Sequence, residues 1–141
     1  MYKRQRHTFV SSAVFQHASN LDPEVQLLLG AESGLRGYPV RTFTGTRLVL
    51  LSAEERWFAA DDVWQLASLG LTAFVDSGFV WPQPERISLS DLKTSVGIGL
   101  LIGRNRLSNT QPTLRFDLGY ALNPSVGTAR WVFTSGSAVR F

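Results

Sequence analysis

The stretch Thr113-Leu114-Arg115-Phe116-Asp117-Leu118-Gly119-Tyr120-Ala121-Leu122 decides the fold. Leu114, Phe116, Leu118, Tyr120 and Leu122 fall on one parity, and Arg115, Asp117 and Gly119 on the other. Successive side chains of an extended chain point to opposite faces, so this segment reads as a strand with one face apolar to its ends and one face charged.

The same alternation spreads in both directions from it. Trp131, Phe133, Val139 and Phe141 share a parity against Thr134, Gly136 and Arg140. Between Lys93 and Gly103, Val96, Ile98, Leu100 and Ile102 alternate with Gly97, Gly99, Leu101 and Gly103. From Gly70 to Trp81 the apolar parity holds Leu71, Ala73, Val75, Phe79 and Trp81, and the other holds Thr72, Phe74, Asp76 and Gly78. Two further strands are read at about His7 to Ala18 and Arg47 to Phe58. The expectation is an all-β, antiparallel meander of about six strands, each near the ~9–11 residues of a tilted membrane strand.

A soluble sandwich also alternates, but its exposed face would carry many lysines and glutamates. Here the polar parity is rich in Gly, Ser and Thr, while the apolar parity ends in aromatics such as Trp57, Trp81 and Trp131. Small residues inside and an aromatic-edged apolar band outside fit a membrane barrel.

Connections separate these strands. Residues 20–46 form a long one, and Asp22-Pro23 followed by Glu24 to Leu29 and Gly30 predicts a capped helical turn within it. Ala59 to Ser68 and Arg104 to Pro112 read as ordinary loops, with Asp61 and Asp62 solvating a turn, and Pro82 to Asp91 carries two prolines.

The 141 residues suit one domain, with 44% hydrophobic and 18% charged residues, too apolar for disorder. No apolar run approaches the ~20 residues of a membrane helix. The net charge is +3, and apart from Lys3, Arg4 and Arg6 the basic residues are scattered, so no nucleic-acid partner is expected. With no cysteine there is neither a disulfide framework nor a thiolate metal site. His7 and His17 are too isolated for a metal site, and Gly97, Gly99 and Gly103 precede no helix, which favours close packing over a phosphate cradle. No cofactor or metal is expected. Glu54 and Arg56 share a parity and read as a same-face pair.

Two strings carry the functional signal. In Gly34-Leu35-Arg36-Gly37-Tyr38-Pro39 the glycines permit tight backbone around Arg36, and Tyr38-Pro39 stiffens the exit. In Phe74-Val75-Asp76-Ser77-Gly78 the aspartate lies on the polar parity, with Gly78 leaving space beside it and Phe74 offering a ring for a guanidinium to stack on. Asp76 is the natural bidentate partner of Arg36, and burial would make either charge costly alone.

These strings resemble the two signatures of the bacterial surface antigen superfamily, the BamA/TamA-like outer-membrane assembly and two-partner secretion barrels. The first is similar to the Val-Arg-Gly-Tyr/Phe motif of an inward-folded loop, with Leu35 in place of the usual valine; the second matches the strand motif that receives the loop arginine. Gly136-Ser137-Ala138-Val139-Arg140-Phe141 resembles the outer-membrane assembly signal, through Gly136, Val139 and the terminal Phe141. The resemblance runs over nearly the whole chain. It implies the C-terminal portion of an outer-membrane barrel across residues 1–141, with Arg36, Gly37, Tyr38, Phe74, Asp76 and Gly78 forming a loop latch.

The same resemblance implies a non-enzymatic protein of the Gram-negative outer membrane, active in barrel-protein insertion or polypeptide translocation. Its partners would be membrane lipid, unfolded barrel or secreted polypeptides, and the N-terminal strands of its own barrel, since closed membrane barrels need at least ~8 strands. A passive pore is the alternative. Ala73 to Gly78 also resembles the active-site turn of aspartic proteases, and Leu101 to Asn105 a later string of the retroviral type, but the two lie too close together to leave room for a flap hairpin.

Overall fold

The computed structural model describes residues 6–18, 26–63, 67–81, 91–104, 113–124 and 129–138. Six long strands form one antiparallel sheet: β1 (Arg6–His17), β4 (Arg47–Val63), β5 (Ala67–Trp81), β6 (Lys93–Arg104), β7 (Thr113–Ala121) and β8 (Trp131–Ala138), paired in that order. The all-β meander read from the alternation is therefore the architecture. Among the described residues β1 and β8 are its edges and the sheet is not closed.

Between β1 and β4 the chain makes a second, two-stranded sheet of β2 (Leu27–Leu29) and β3 (Phe43–Gly45). This corrects the helical turn expected up to Leu29; residues 22–25 of that segment lie outside the described residues. Leu27 to Leu29 pair with Gly45 to Phe43, and the buried Leu29 packs with Leu35, Tyr38, Leu48, Leu50 and Ala121. Extended pairing puts Leu27 and Leu29 on one side, where Leu29 is buried and Leu27 packs on the same core, whereas a helical turn would send residues two apart to opposite sides. The helical geometry appears one step later, as a single 3-10 turn at Ala31–Ser33.

A second correction concerns the loop expected at Ala59 to Ser68. β4 runs on to Val63 and β5 begins at Ala67, with register shifts after Phe58 and Ala60, so Asp61 and Asp62 belong to a strand. The shifts let the chain continue pairing where strict alternation fails, which is how an irregular segment disguises itself as a loop.

Register carries each parity across all six strands. One row reads Val10, Glu54, Phe74, Gly97, Gly119 and Val132; the rows beside it hold Arg56, Thr72, Gly99 and Asp117, and Ser52, Asp76, Ser95 and Ala121. The 26–46 excursion lies over this inner face. The opposite rows hold Phe9, Glu55, Ala73, Ile98, Leu118 and Phe133, and His7, Trp57, Leu71, Leu100 and Phe116, with Glu55 the one carboxylate among them and His7 3.6 Å from it.

The two faces are inverted relative to a soluble sheet. On the inner face Glu54 is 5% exposed, Asp117 3% and Asp76 0%; on the outer face Phe9 is 67% exposed, Ile98 64% and Phe133 66%. Water-facing sheets place charge outside and large apolar groups inside.

Candidate functional site

The loop reaches the wall through three short turns. Gly34 has φ 111°, the left-handed region that favours glycine, and a Cβ there would lie 2.6 Å from Leu50 Cδ2. The Leu35 amide donates to the Gly30 carbonyl at 2.9 Å and the Tyr38 amide to the Leu35 carbonyl at 3.1 Å. Leu35 and Tyr38 are fully buried, so the loop inserts its side chains as part of the core.

Between those two anchors Arg36 meets the strand wall. Its Nε donates to Asp76 Oδ2 at 2.8 Å and its Nη2 to Asp76 Oδ1 at 2.6 Å, the parallel fork that only a guanidinium makes. Its Nη1 donates to Glu54 Oε2 at 2.5 Å, and Nη2 also reaches Ser52 Oγ at 3.2 Å. The guanidinium carbon lies 3.6 Å from the centroid of the Phe74 ring. Burial on its own would lower the Arg36 pKa, but hydrogen bonds and attraction from Asp76, with Glu54, hold it above the ordinary guanidinium value.

The sequence-derived pair of Arg36 and Asp76 is thus in direct contact. Asp76 lies mid-strand, its Oδ1 accepting from Ser52 Oγ as well as from Arg36. Its Oδ2 accepts from the Arg36 side chain and, at 3.3 Å, from the Arg36 backbone amide.

Gly37 lies against Ser95, to whose Oγ its amide donates at 3.2 Å. Gly119 faces it from β7: a Cβ at Gly119 would be 2.6 Å from the Arg36 carbonyl oxygen and 2.7 Å from Gly37 Cα. Loop and wall therefore pack backbone on backbone. Gly78 makes room for the apolar core rather than for the guanidinium: a Cβ there would press on the Val49 carbonyl oxygen at 2.9 Å and on Leu29 and Leu50 at 3.2 Å.

Glu54 pairs with Arg56, through Nε to Oε1 at 2.6 Å, as their shared parity predicts. The larger role of Glu54 is not legible from that pair. Arg115 donates to it twice, Nη1 to Oε1 at 3.0 Å and Nη2 to Oε2 at 2.6 Å, and bonds Asp117 Oδ2 through Nε. Glu54 thus joins three arginines, and Arg36, Arg56 and Arg115 balance Glu54, Asp76 and Asp117. The alternation of β7 marks Arg115 and Asp117 as inward; only the sheet register says that they face Glu54 from across the sheet.

A second missed residue is Asn123. The Tyr38 hydroxyl lies 2.8 Å from Asn123 Oδ1 and 3.1 Å from its carbonyl oxygen. Asn123 Oδ1 also accepts from the Thr94 amide at 2.8 Å, and its Nδ2 donates to the Leu92 carbonyl. One asparagine thus ties the loop, the start of β6 and the end of β7 together. Burial raises the Tyr38 pKa.

No protein-family model, curated protein or solved structure matches the chain. The site therefore rests on its own geometry.

The assembly signal read at the end of the chain divides. Gly136 lies in β8, where a Cβ would meet nothing within 4 Å, whereas Val139 and Phe141 lie outside the described residues. His7 approaches Glu55 at 3.6 Å and His17 accepts from Arg47 Nε at 3.2 Å, and among the described residues no group of His, Cys, Asp or Glu is placed to hold a metal.

A cavity of about 760 Å³ borders the charged cluster, lined by Val10, Ser12, Arg36, Glu54, Arg115 and Thr134 among others. Residues from both edge strands, β1 and β8, reach it. The arrangement offers a charged, walled interior with the loop held to one side of it.

Proposed function

We propose that the chain is part of an outer-membrane β-barrel of the surface antigen superfamily, serving barrel-protein insertion or polypeptide translocation, with the 26–46 loop latched in the lumen by Arg36. The observation that carries this reading is the inversion of the sheet. Its buried face holds three arginines and three carboxylates, and its outer face exposes Phe9, Leu71, Ile98, Leu118 and Phe133. A face of that kind is stable against hydrocarbon, where exposed apolar side chains cost nothing and the polar groups turn inward.

In lipid the unpaired backbone groups of β1 and β8 need partners, because the hydrocarbon supplies none. Further strands of a larger barrel fill that role in this reading, and lipid covers the outer face. The latch fixes the loop against β4, β5 and β7, so the wall on that side keeps one shape while the edges remain the adaptable part. No bond is made or broken; the work is guiding and holding polypeptide. Asp76, with both oxygens bonded to Arg36, has no acid–base role in it.

The test is refolding of the full chain from urea into phospholipid vesicles and, separately, into detergent-free buffer. The reading predicts aggregation in buffer and, with vesicles, protease-protected β-sheet only in assemblies of more than one copy, because the edges β1 and β8 must be paired in lipid. A monodisperse folded species in detergent-free buffer contradicts it.

A further inference from the structure

We infer that the apolar groove beside Glu55 on the outer face binds a membrane lipid with an ammonium-bearing headgroup, its chain lying in the groove and its ammonium held by Glu55 and Trp57. The site rests on that face being the lipid-facing one, and goes beyond the task proposed for the barrel.

The groove is a product of register. A cavity of about 420 Å³ is lined by Trp57, Leu71, Ala73, Ile98, Leu118 and Phe133 among others, a size within the ~300–1,000 Å³ of ligand sites. Along the row Glu55, Ala73, Ile98, Leu118 and Phe133 the alanine is the one short side chain, so the sheet is hollowed where it stands. Leu71, Ile98 and Phe133, its taller walls, are exposed. A hydrocarbon chain is the occupant that such walls cover.

Charge marks one end of the groove. Ala73 is the register partner of Glu55, which sets the carboxylate beside the hollow on its β4 side. The ion-pair partner of Glu55 among the described residues is His7 at 3.6 Å, longer than a hydrogen bond, and a neutral imidazole brings no charge to it. A carboxylate so loosely partnered is costly against hydrocarbon and favours a cation beside it.

The aromatic part is Trp57, which shares the parity of Glu55 about 7 Å along the strand and lines the groove. His7 meets that indole from the β1 side, with ring centroids 6.4 Å apart, whereas the groove lies toward β5. A carboxylate and an indole at the end of an apolar channel are the chemistry that holds an alkylammonium. A neutral headgroup leaves Glu55 without its cation, and an anionic one is repelled by it.

The experiment uses the full chain labelled with fluorotryptophan and assembled in dodecyl maltoside micelles. It follows the fluorine resonance of Trp57, assigned by its loss in Trp57→Phe, with Trp81 at the far end of the β4–β5 ladder as the internal reference. Lauroyl lysophosphatidylethanolamine and lauroyl lysophosphatidylglycerol share chain and phosphate and differ in the ammonium. The ethanolamine lipid should half-saturate the Trp57 shift at a mole fraction at least about fivefold below the glycerol lipid, the combined effect of an ion pair and a cation–π contact. Glu55→Gln should bring the two lipids within about twofold of each other. Ala73→Leu, which fills the groove, should abolish the response to both, and glycerophosphoethanolamine, the headgroup without a chain, should leave the resonance unmoved. Equal half-saturation by the two lipids, an undiminished preference in Glu55→Gln, an intact response in Ala73→Leu with native circular dichroism, or an equal response to the chainless headgroup overturns the inference. A chain that is folded and monodisperse without detergent overturns the lipid-facing reading itself, so the two failures are told apart.

Discussion

Ser52 and Asp76 stand directly opposite each other across the β4–β5 ladder, and the Ser52 hydroxyl lies 2.6 Å from Asp76 Oδ1. The carboxylate that receives the loop arginine is thus oriented by a neighbour that register, not sequence proximity, supplies. A one-residue slip of β4 against β5 would send Ser52 to the outer face and leave Asp76 unguided. The latch is consequently a readout of correct strand pairing as well as a loop anchor.

Arg36 and Asp76 should show strong coupling. Truncating either one leaves a buried charge without its partner, which costs about 3–5 kcal/mol. The double variant Arg36→Ala/Asp76→Ala should cost less than the sum of the singles by about 2–3 kcal/mol. Urea unfolding in detergent, run as a double-mutant cycle, measures it; additive effects would sink the pair.

Glu54→Gln should be more damaging than its surface-like neighbours suggest. The substitution removes the negative charge shared by Arg36, Arg56 and Arg115 and leaves these three partly buried guanidinium groups with two carboxylates, Asp76 and Asp117, between them. A loss of about 3–5 kcal/mol is expected, against a much smaller effect of Glu55→Gln, whose side chain is about a third exposed on the outer face and meets only His7 among the described ion pairs. Comparison of unfolding midpoints for the two variants decides the point.

Gly119→Ala should release the loop while the sheet survives. The added methyl would come within 2.6–2.8 Å of the Arg36 and Gly37 backbone, which has no flexible atom to move aside. Overpacking of this kind costs about 1–3 kcal/mol. The expected signature is faster proteolysis between β2 and β3 with unchanged circular dichroism; retained loop protection contradicts the backbone-on-backbone contact.

Tyr38 ties loop docking to alkaline pH. Its pKa is raised by burial, so the neutral phenol is the form that the docked loop prefers. The sign comes from linkage: the contribution is fully present below the ordinary tyrosine value of 10.0 and is lost as pH rises through the higher docked value. Tyr38→Phe should remove that pH dependence and cost about 1 kcal/mol at neutral pH through the lost hydrogen bond, and Asn123→Ala should reproduce the loss. A fluorophore on the exposed Val40, introduced through Val40→Cys, would report both.

Alternation made the sheet legible, because a face buried against a loop and a face turned outward leave period-two signatures in β5, β6 and β7. Arg36 and Asp76 were legible for a different reason: each is a charge placed beside glycine and aromatic neighbours that make burial workable. Arg115, Asp117 and Asn123 were not. Their roles are set by the rows that strand pairing assembles, and Glu54 meets Arg115 across 61 residues of sequence. The Leu27–Leu29 strand was hidden by Asp-Pro helix-start chemistry upstream of it, which the demand for apolar burial outweighed.

The most direct test of a lipid-facing sheet uses the absence of cysteine from the chain. Single cysteines along β1 are safe probes, since none of its residues joins the charged cluster. Phe9, Ser11, Ala13 and Phe15 share the outer parity, and Thr8, Val10, Ser12 and Val14 the inner one. In the vesicle-refolded chain, the outer set should react with a lipid-dissolved maleimide and resist an aqueous one, and the inner set should show the reverse. Equal aqueous labelling of both sets would contradict a lipid-facing outer surface.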